Sequence, residues 1–320
     1  MPIYLGSSRV GWLNFVDVET LALHQLIDGT IQYYDNARLT TIDDYAFVGC
    51  SSLSLISCSY ATYIGESAFY ECSNLRTANI PLATEVGIRA FENCINLTSI
   101  SDPKLSIINS YAFRSCRALS YFSFRSVTQI SGWEAFAHCV ALTSISLTNT
   151  SLSYLGSGTF SGCVKLSYVN ASYVTSLGSS VFSGCSSLTS ISFPRLQTIG
   201  KNAFGYGLNI ASSVVFYFPE VTRVEEDAFN YTRLGGISLP KVTFIGSDAF
   251  YGNNYLLSVY LNNITSVPTL QTSYAFYSTP IGGYSGVTGR YGSVYVPASL
   301  YNAFKTAPEW SKISARIASV

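Results

Sequence analysis

Seven of the eight cysteines recur at intervals of 22 to 24 residues, which makes them the most regularly spaced reactive side chains in this sequence. They are Cys50, Cys72, Cys94, Cys116, Cys139, Cys163 and Cys185. A zinc site needs ligands that converge from closely spaced pairs, so this spacing instead predicts one thiol in each copy of a repeat. Later repeats have other small residues at the same position, namely Gly207, Thr232, Asn253 and Thr279. We therefore expect reduced, buried thiols that fill a tight turn, with disulfides between repeats, a redox relay or a metal as alternatives.

Other side chains suited to catalysis or metal binding are few. The histidines are His24 and His138, and neither has a recurring acidic partner. The run Glu225–Asp227 precedes an Ala-Phe dipeptide, where we expect it to begin a short helical turn, with calcium binding as the alternative. Serine is abundant, but no Gly-x-Ser-x-Gly motif or Ser/His/Asp set accompanies it. The sequence thus predicts no catalytic residue, no metal site and no cofactor.

The composition argues against two classes of partner. The 320 residues include 18 Lys+Arg and 18 Asp+Glu, and only 11% are charged. Polarity comes instead from 48 Ser and 25 Thr. Without a basic block, binding to nucleic acid or to an anionic membrane is not expected. No apolar stretch is long enough for a transmembrane helix, and the first residues lack the pattern of a secretory signal, so we expect no membrane insertion.

The positions around the cysteines reveal an internal repeat. A Phe, usually within Ala-Phe, recurs every 21 to 26 residues, at Phe47, Phe69, Phe91, Phe113, Phe136, Phe160, Phe182, Phe204, Phe229, Phe250 and Phe276. After each Phe most repeats continue Cys-x-x-Leu-x-x-Ile-x-Leu, whose last positions alternate as in a short strand with one buried face. An Ile-Gly pair follows in many repeats, and we expect its glycine to permit a sharp bend. Such units bury their apolar faces only by stacking, so the sequence predicts a solenoid.

The combination Ile-Gly-x-x-Ala-Phe-x-x-Cys-x-x-Leu-x-x-Ile-x-Leu-Pro resembles the BspA-like subclass of leucine-rich repeats. The resemblance covers about three quarters of the chain and implies a β-rich solenoid of about 11 repeats of about 22 residues, with parallel short strands, turns and short helical turns. The subclass is known mostly from bacterial surface proteins, some protist proteins and phage-encoded chains. It therefore implies a role in adhesion or protein binding at a cell surface, outside the cell or on a virion.

The two ends of the repeat array are predicted to be caps. Residues 1–39 carry apolar side chains at roughly helical spacing, which indicates an N-terminal cap: Val18, Leu21, Ala22 and Leu26. The solenoid occupies 40–280, and residues 281–320 add a last strand and a helical cap. In that cap we expect Leu300, Ala303 and Phe304 on one helix, followed by Trp310, Ile313 and Ile317. The three parts are expected to form one continuous, elongated domain.

The outward positions of the predicted strands carry short hydroxyls and periodic tyrosines without charge. The candidate ligand-binding residues are Tyr121, Ser123, Ser144, Ser146, Tyr168 and Asn170. Tyrosine supplies rigid contact area and serine supplies adaptable hydrogen bonds, so this face suits a protein or a glycan. The two tyrosines occupy one position two repeats apart, which predicts a separation of roughly 10 Å. Insertions at 208–214 and 264–270 are expected to bound the site. The alternative is that Thr and Ser only solvate a sheet that favours them.

Two other functions fit the same pattern. A phage or virion-associated receptor-binding component would have the same fold and a similar face. A polysaccharide-cleaving solenoid enzyme would need paired carboxylates or an acidic metal cluster near an Arg or Lys. The predicted outer face of the central repeats contains no carboxylate, so the sequence favours a non-enzymatic recognition or adhesion module.

Overall fold

A computed structural model of the chain describes residues 31–101, 104–148, 150–208, 215–283 and 286–320, together with the backbone of 3–5 and 8–10. The contacts divide the chain into two compact units. Unit 1 comprises Met1–Leu152 and Thr159–Leu166, and unit 2 comprises Ser153–Gly158 and Ser167–Val320. Within the described residues, no helix is both long enough and apolar enough to cross a membrane.

Unit 1 contains an antiparallel hairpin and two ladders of short parallel strands. In chain order the strands are β1 (Ile3–Leu5), β2 (Ser8–Val10), β3 (Tyr33–Asp35), β4 (Thr41–Ile42), β5 (Leu55–Ser57), β6 (Tyr63–Ile64), β7 (Thr77–Asn79), β8 (Glu85–Val86), β9 (Ser99–Ile100), β10 (Ile107–Ile108), β11 (Gln129–Ile130) and β12 (Ser144–Ser146). The first ladder pairs β3, β5, β7 and β9, and the second pairs β4, β6, β8, β10 and β11. We use the term rung for one turn of the chain through both ladders.

Unit 2 also contains ladders of short parallel strands, and it holds the helices found within the described residues. Its strands are β13 (Tyr154–Leu155), β14 (Tyr168–Asn170), β15 (Ser176–Leu177), β16 (Ser190–Ser192), β17 (Thr198–Ile199), β18 (Val215–Tyr217), β19 (Arg223–Val224), β20 (Gly236–Ser238), β21 (Phe244–Ile245), β22 (Ser258–Tyr260), β23 (Thr269–Leu270), β24 (Ser293–Val296) and β25 (Ile317–Ser319). The first ladder of unit 2 pairs β14 with β16 and joins β18, β20, β22, β24 and β25, and the second joins β13, β15, β17, β19, β21 and β23. The helix α1 spans Tyr301–Thr306, and three 3-10 segments span Ser273–Phe276, Ala298–Leu300 and Trp310–Arg316.

The parallel-strand solenoid predicted from the sequence is confirmed, with about 13 turns. Eleven turns are the predicted Phe repeats, and β24 and β25 add two more after the last of them. Strand β25 pairs in parallel with β24, so the strand predicted at 292–297 is not the last one. At the other end, β3 already belongs to the first ladder although it lies within the predicted cap 1–39. The helical positions predicted at 18–26 lie outside the described residues.

Stacked phenylalanines form the core of each unit. All eleven repeat phenylalanines are buried, and within unit 1 neighbouring rings from Phe47 to Phe160 lie 5.0 to 5.6 Å apart, centroid to centroid. Within unit 2 the rings from Phe182 to Phe276 lie 5.2 to 5.5 Å apart. This offset stacking adds aromatic contact to the burial of apolar area, since each rung places its ring on the next.

The Ala-Phe segment is a pair of tight turns rather than a helical turn. Left-handed backbone recurs two residues before the Phe, as at Tyr45 (φ 60°) and Asp227 (φ 58°), and two residues after it, as at Glu71 (φ 61°). Between these bends the Phe nitrogen donates to the neighbouring rung, for example from Phe69 to the Ala90 oxygen at 2.7 Å. The helical turn expected after Glu225–Asp227 is therefore wrong, and no helix dipole acts on these carboxylates.

The glycine of the Ile-Gly pair has a different role from the one predicted. Gly87 and Gly200 do not have positive φ, so they are not needed for the bend. A Cβ on Gly87 would lie 2.6 Å from the carbonyl carbon of Gly65, and one on Gly200 would lie 2.5 Å from the Gly178 oxygen. Glycine therefore permits close approach of consecutive rungs. Where Asn109 occupies this position, its amide donates to the Val86 oxygen at 3.0 Å.

The C-terminal segment covers the end of the first ladder of unit 2. Phe304, Trp310, Ile313 and Ile317 are buried, as predicted for cap residues. The prediction of Leu300, Ala303 and Phe304 on one helix is wrong for Leu300, which precedes α1 and is half-buried, and Ala303 lies on α1 but is exposed. Ile317 belongs to β25 rather than to a helix. The cap therefore combines a short helix with an additional strand.

Candidate recognition surfaces

Four of the predicted ligand-binding residues lie in unit 1. Tyr121 is 65% exposed, Ser144 and Ser146 are exposed on β12, and Ser123 is half-buried. Tyr121 and Ser123 lie in an extended segment that forms no strand, contrary to the strand predicted there. Exposed and buried side chains nevertheless alternate along this segment, because Phe122, between the two residues, and Phe124, after them, are buried. The preceding strand β9 ends at Ile100 and is one residue shorter than β7.

The other two predicted residues, Tyr168 and Asn170, lie on β14 in unit 2. Tyr168 is 41% exposed, and its hydroxyl accepts a hydrogen bond from Asn170 Nδ2 at 3.2 Å. Strand β14 pairs with β16 so that Tyr168 is opposite Ser190 and Asn170 is opposite Ser192. The six residues thus belong to two units, and their assembly into one site, with the two tyrosines about 10 Å apart, remains a prediction.

Hydroxyl side chains beside both ladders have a structural role that the sequence analysis missed. Thr98 Oγ1 donates to the Arg76 oxygen at 3.0 Å beside the first ladder. Thr84 Oγ1 donates to the Thr62 oxygen at 3.1 Å beside the second. Each bond joins a hydroxyl to the backbone of the preceding rung, so part of the Ser and Thr content stabilises the stack instead of serving a ligand.

A shallow groove of about 420 Å³ crosses the second ladder of unit 2. It is lined by Tyr154, Ser157, Ser176, Leu177, Gly178, Ser179, Thr198, Gly200, Lys201, Glu225 and Glu226. This volume falls within the range of small-molecule sites. The insertion at 208–214 was predicted to bound the outer-face site, and its residues 209–214 lie outside the described residues.

The two glutamates that line the groove, Glu225 and Glu226, each form an ion pair. Lys201 Nζ lies 2.8 Å from Glu226 Oε2, and Arg223 Nε pairs with Glu225 Oε1. Partial burial raises the pKa of Asp227, and Glu226 and Asp248 raise it further by charge repulsion. Burial likewise raises the pKa of Asp248. Among the described residues no group of three or more His, Cys, Asp or Glu side chains is arranged to hold a metal ion.

A row of tyrosines follows the turns of unit 2, with Tyr206, Tyr231 and Tyr277 exposed and Tyr251 half-buried. Tyr206 and Tyr231 stack with ring centroids 5.1 Å apart, and Tyr251 and Tyr277 stack at 5.7 Å. Tyr231 meets Tyr251 edge to face at 5.2 Å, which joins the two pairs. Because stacking covers ring faces, this row presents mainly ring edges and hydroxyls. Its signal in the sequence is a Tyr one or two residues after the Phe of four consecutive repeats.

The thiols are buried, as predicted, and all eight cysteines are free. Five of the repeat thiols donate to the Phe carbonyl oxygen of the preceding repeat, as Cys94 Sγ does to the Phe69 oxygen at 3.0 Å. The five are Cys72, Cys94, Cys116, Cys139 and Cys163. Burial raises the pKa of Cys163 to about 12 and that of Cys94 well above its usual value. A thiolate is the reactive form, so these cysteines are poor nucleophiles. His138 is exposed on its turn.

We expect Cys94→Ser to lower the free energy of unfolding by about 1–2 kcal/mol and Cys94→Ala by less. The Phe69 oxygen also accepts from the Cys72 nitrogen at 3.0 Å, so alanine leaves no carbonyl unpaired. Urea unfolding measures the free energy of unfolding of both variants. Titration of the native parent with an aromatic disulfide should label no thiol until urea is added. Rapid labelling of native protein, or bonded cysteine pairs found by mass spectrometry, would contradict the reduced ladder.

Comparison with known proteins gives the following similarities. The model of the BspA type leucine rich repeat region matches residues 30–98, 84–211 and 156–282, with six copies. A leucine rich repeat protein of T. pallidum is 25% identical, covering 54% of this chain and 75% of that one, with a TM-score of 0.39. A leucine-rich repeat protein from Bacteroides ovatus is 19% identical, covering 84% and 88%, with a TM-score of 0.36. A leucine rich cell surface protein from Faecalibacterium prausnitzii is 18% identical, covering 85% and 89%, with a TM-score of 0.37. No curated protein sequence matches significantly.

Proposed function

Because the chain belongs to the BspA type leucine-rich repeat family, we propose that it is a non-enzymatic recognition module that binds a protein or a glycan. The repeat family is consistent with binding or adhesion, and its repeated inward residues build a scaffold rather than a reaction centre. The binding surface in this proposal is the outer face of the first ladder. Display at a cell surface or on a virion is part of the same proposal, and both settings would use this face.

The exposed tyrosines of the outer face are the observation that carries the proposal. Tyr121 and Tyr168 have large aromatic rings that are 65% and 41% exposed to solvent. Each ring offers contact area with few rotatable bonds, so little entropy is lost when a ligand covers it. Ser144 and Ser146 on β12 add hydroxyls without charge. The surface is therefore suited to neutral, hydrogen-bonding ligands.

The carboxylates of unit 2 do not favour the alternative of a polysaccharide-cleaving enzyme. Glycoside hydrolysis needs one carboxyl group as an acid and another as a base or nucleophile. Glu225 and Glu226 are adjacent in sequence, but each is ion-paired to a cation, Arg223 and Lys201 respectively. These pairs support a structural role for both carboxylates.

The test begins with a screen of the purified chain against a glycan array and a panel of extracellular proteins. For the best ligand, the double variant Tyr121→Ala, Tyr168→Ala should weaken binding by about tenfold or more, because each change removes a central aromatic contact. Its melting temperature should stay that of the parent, since both side chains face away from the core. Calorimetry and a thermal scan measure these two quantities.

The matched control removes exposed tyrosines that lie elsewhere. Tyr60→Ala, Tyr274→Ala again takes one exposed ring from each unit, at 60% and 61% exposure. It should bind like the parent. Equal affinity of the Tyr121/Tyr168 variant and the parent for an identified ligand would show that the outer face is not the binding site.

A further inference from the structure

The groove of unit 2 has a regular floor built from three strands. Tyr154 on β13, Ser176 on β15 and Thr198 on β17 are register partners. Consecutive parallel strands lie about 4.8 Å apart, so these three side chains form an evenly spaced row across the rungs. That interval is close to the length of one pyranose ring. The row also lies on the second ladder and is thus separate from the outer face of the first.

Glycines let a side chain and neighbouring backbone come close to this floor. A Cβ on Gly178 would lie 2.7 Å from the Tyr154 hydroxyl and 2.9 Å from the Ser157 nitrogen. The Tyr154 side chain therefore leans over the glycine of the next rung, and Gly200 continues the same column. The glycines therefore accommodate the Tyr154 side chain and the backbone of the adjacent rung, and Tyr154 forms a wall at one end of the groove.

The groove offers hydroxyls without a net charge. Within the described residues, no hydrogen bond engages the hydroxyls of Tyr154, Ser176 and Thr198, so all three are available to a ligand. Lys201 is paired with Glu226, and Arg223 beside the groove is paired with Glu225, which balances the local charge. An anionic ligand would compete with the carboxylates for these cations, whereas a neutral ligand leaves the pairs intact.

The apolar character of the groove is confined to one ring. Leu177 is among the lining residues but is only 1% exposed, so it offers no pocket for an apolar side chain. Tyr154 is 49% exposed and supplies the one aromatic surface. A peptide gains specificity from pockets for its alternate side chains, and such pockets are missing from this lining. A sugar instead uses hydroxyl partners and one flat ring.

We propose that this groove is a second binding site, which takes a neutral oligosaccharide lying across the rungs. One sugar ring stacks on Tyr154, and the following rings exchange hydrogen bonds with Ser176 and Thr198. Lys201 and Glu226 close the far end and offer a donor and acceptors to hydroxyl groups there. The site takes no part in the outer-face recognition proposed above.

The experiment is calorimetric titration of the full chain with neutral tetrasaccharides of glucose, mannose, galactose and N-acetylglucosamine, and with a hexuronic acid tetrasaccharide. At least one neutral tetrasaccharide should bind with a Kd in the millimolar range or tighter, and its affinity should not change when sodium chloride is raised. Tyr154→Ala and Ser176→Leu should each weaken that binding by about tenfold or more, because one removes the stacking ring and the other fills the floor.

Tyr63→Ala is the matched control, since Tyr63 holds the same strand position in unit 1, beside Gly65. It should bind like the parent, and melting temperatures establish that all variants fold. Binding of none of the neutral tetrasaccharides, exclusive binding of the charged one, or unchanged affinity in both groove variants would each overturn the proposal. The Tyr121/Tyr168 variant should bind the same tetrasaccharide like the parent. The groove variants therefore test the groove proposal, and the Tyr121/Tyr168 variant tests the outer-face proposal independently.

Discussion

Phe136→Ala should lower the free energy of unfolding by about 3–5 kcal/mol, through lost transfer free energy and the cavity left behind. Phe136 is fully buried, and its ring stacks between Phe113 at 5.1 Å and Phe160 at 5.6 Å, centroid to centroid. Phe122 and Phe124 also contact it, at 4.9 and 5.3 Å. Four aromatic neighbours held by their own backbones cannot collapse into the gap. Urea unfolding measures the change.

Trp133→Ala in the same repeat is the control. Trp133 is 59% exposed, so its removal should change the free energy of unfolding by about 0.5 kcal/mol or less. Hydrogen exchange adds a spatial readout, because each rung of a solenoid is supported by its neighbours. Protection should fall first at residues 113–124 and 144–147, and only later in β3 and β5. A Phe136→Ala variant with the parent's urea midpoint would show that the ring stack does not stabilise the fold.

The inward positions of the repeat were predictable because they recur with one chemistry. Leu53, Leu97 and Leu142, at the same repeat position, are all buried, as are the repeat phenylalanines and cysteines. A side chain that must fill the same space in each rung is selected for that space every time. Period and residue type therefore sufficed to predict the solenoid and its core from the sequence.

The turns were less predictable because their constraint lies in the backbone. Left-handed residues flank the Ala-Phe pair in nearly every repeat, yet the residues there include Tyr45, Arg89 and Glu134. Only glycine, asparagine and aspartate signal such a conformation by their type. Backbone hydrogen bonds from neighbouring rungs hold these turns in place. For example, the Glu71 backbone nitrogen donates to the Glu92 backbone oxygen at 2.9 Å. Packing of the stack thus overrides the local preference.

The residue pattern of a single repeat predicts the outer face but not the groove. The outer-face residues were found by removing inward positions from each strand, and their exposure or half-burial agrees with that procedure. The groove depends on the register between β13, β15 and β17 and on the close approach of rungs that the glycines permit. Neither quantity is visible in one repeat taken alone. Comparison of the second strands across repeats could have revealed the row of Tyr154, Ser176 and Thr198.

A second large effect is expected at the C-terminal cap, where Trp310 connects the cap to the solenoid. Trp310 is 1% exposed, and its indole nitrogen donates to the Pro268 oxygen at 2.8 Å. Its ring meets Phe304 of α1 at 4.9 Å and Phe276, the last repeat phenylalanine, at 6.0 Å. The neighbouring Glu309 accepts from the Ser273 nitrogen at 2.7 Å and from Lys312, and the Lys312 bond is the main reason that its pKa is lowered.

Trp310→Ala should therefore lower the free energy of unfolding of unit 2 by about 3–5 kcal/mol, as expected for loss of a buried indole. Trp310→Phe is the matched control: it keeps an aromatic ring and loses the bond to Pro268, so it should cost only about 0.5–1.5 kcal/mol from that bond. In hydrogen exchange the alanine variant should expose β24 and β25 first, because Trp310 covers the end of the stack that they extend, while β15 and β17 keep their protection. Uniform loss of protection across unit 2 would show that the residue supports the whole core instead. An alanine variant as stable as the phenylalanine variant would show that the ring does not hold the cap in place.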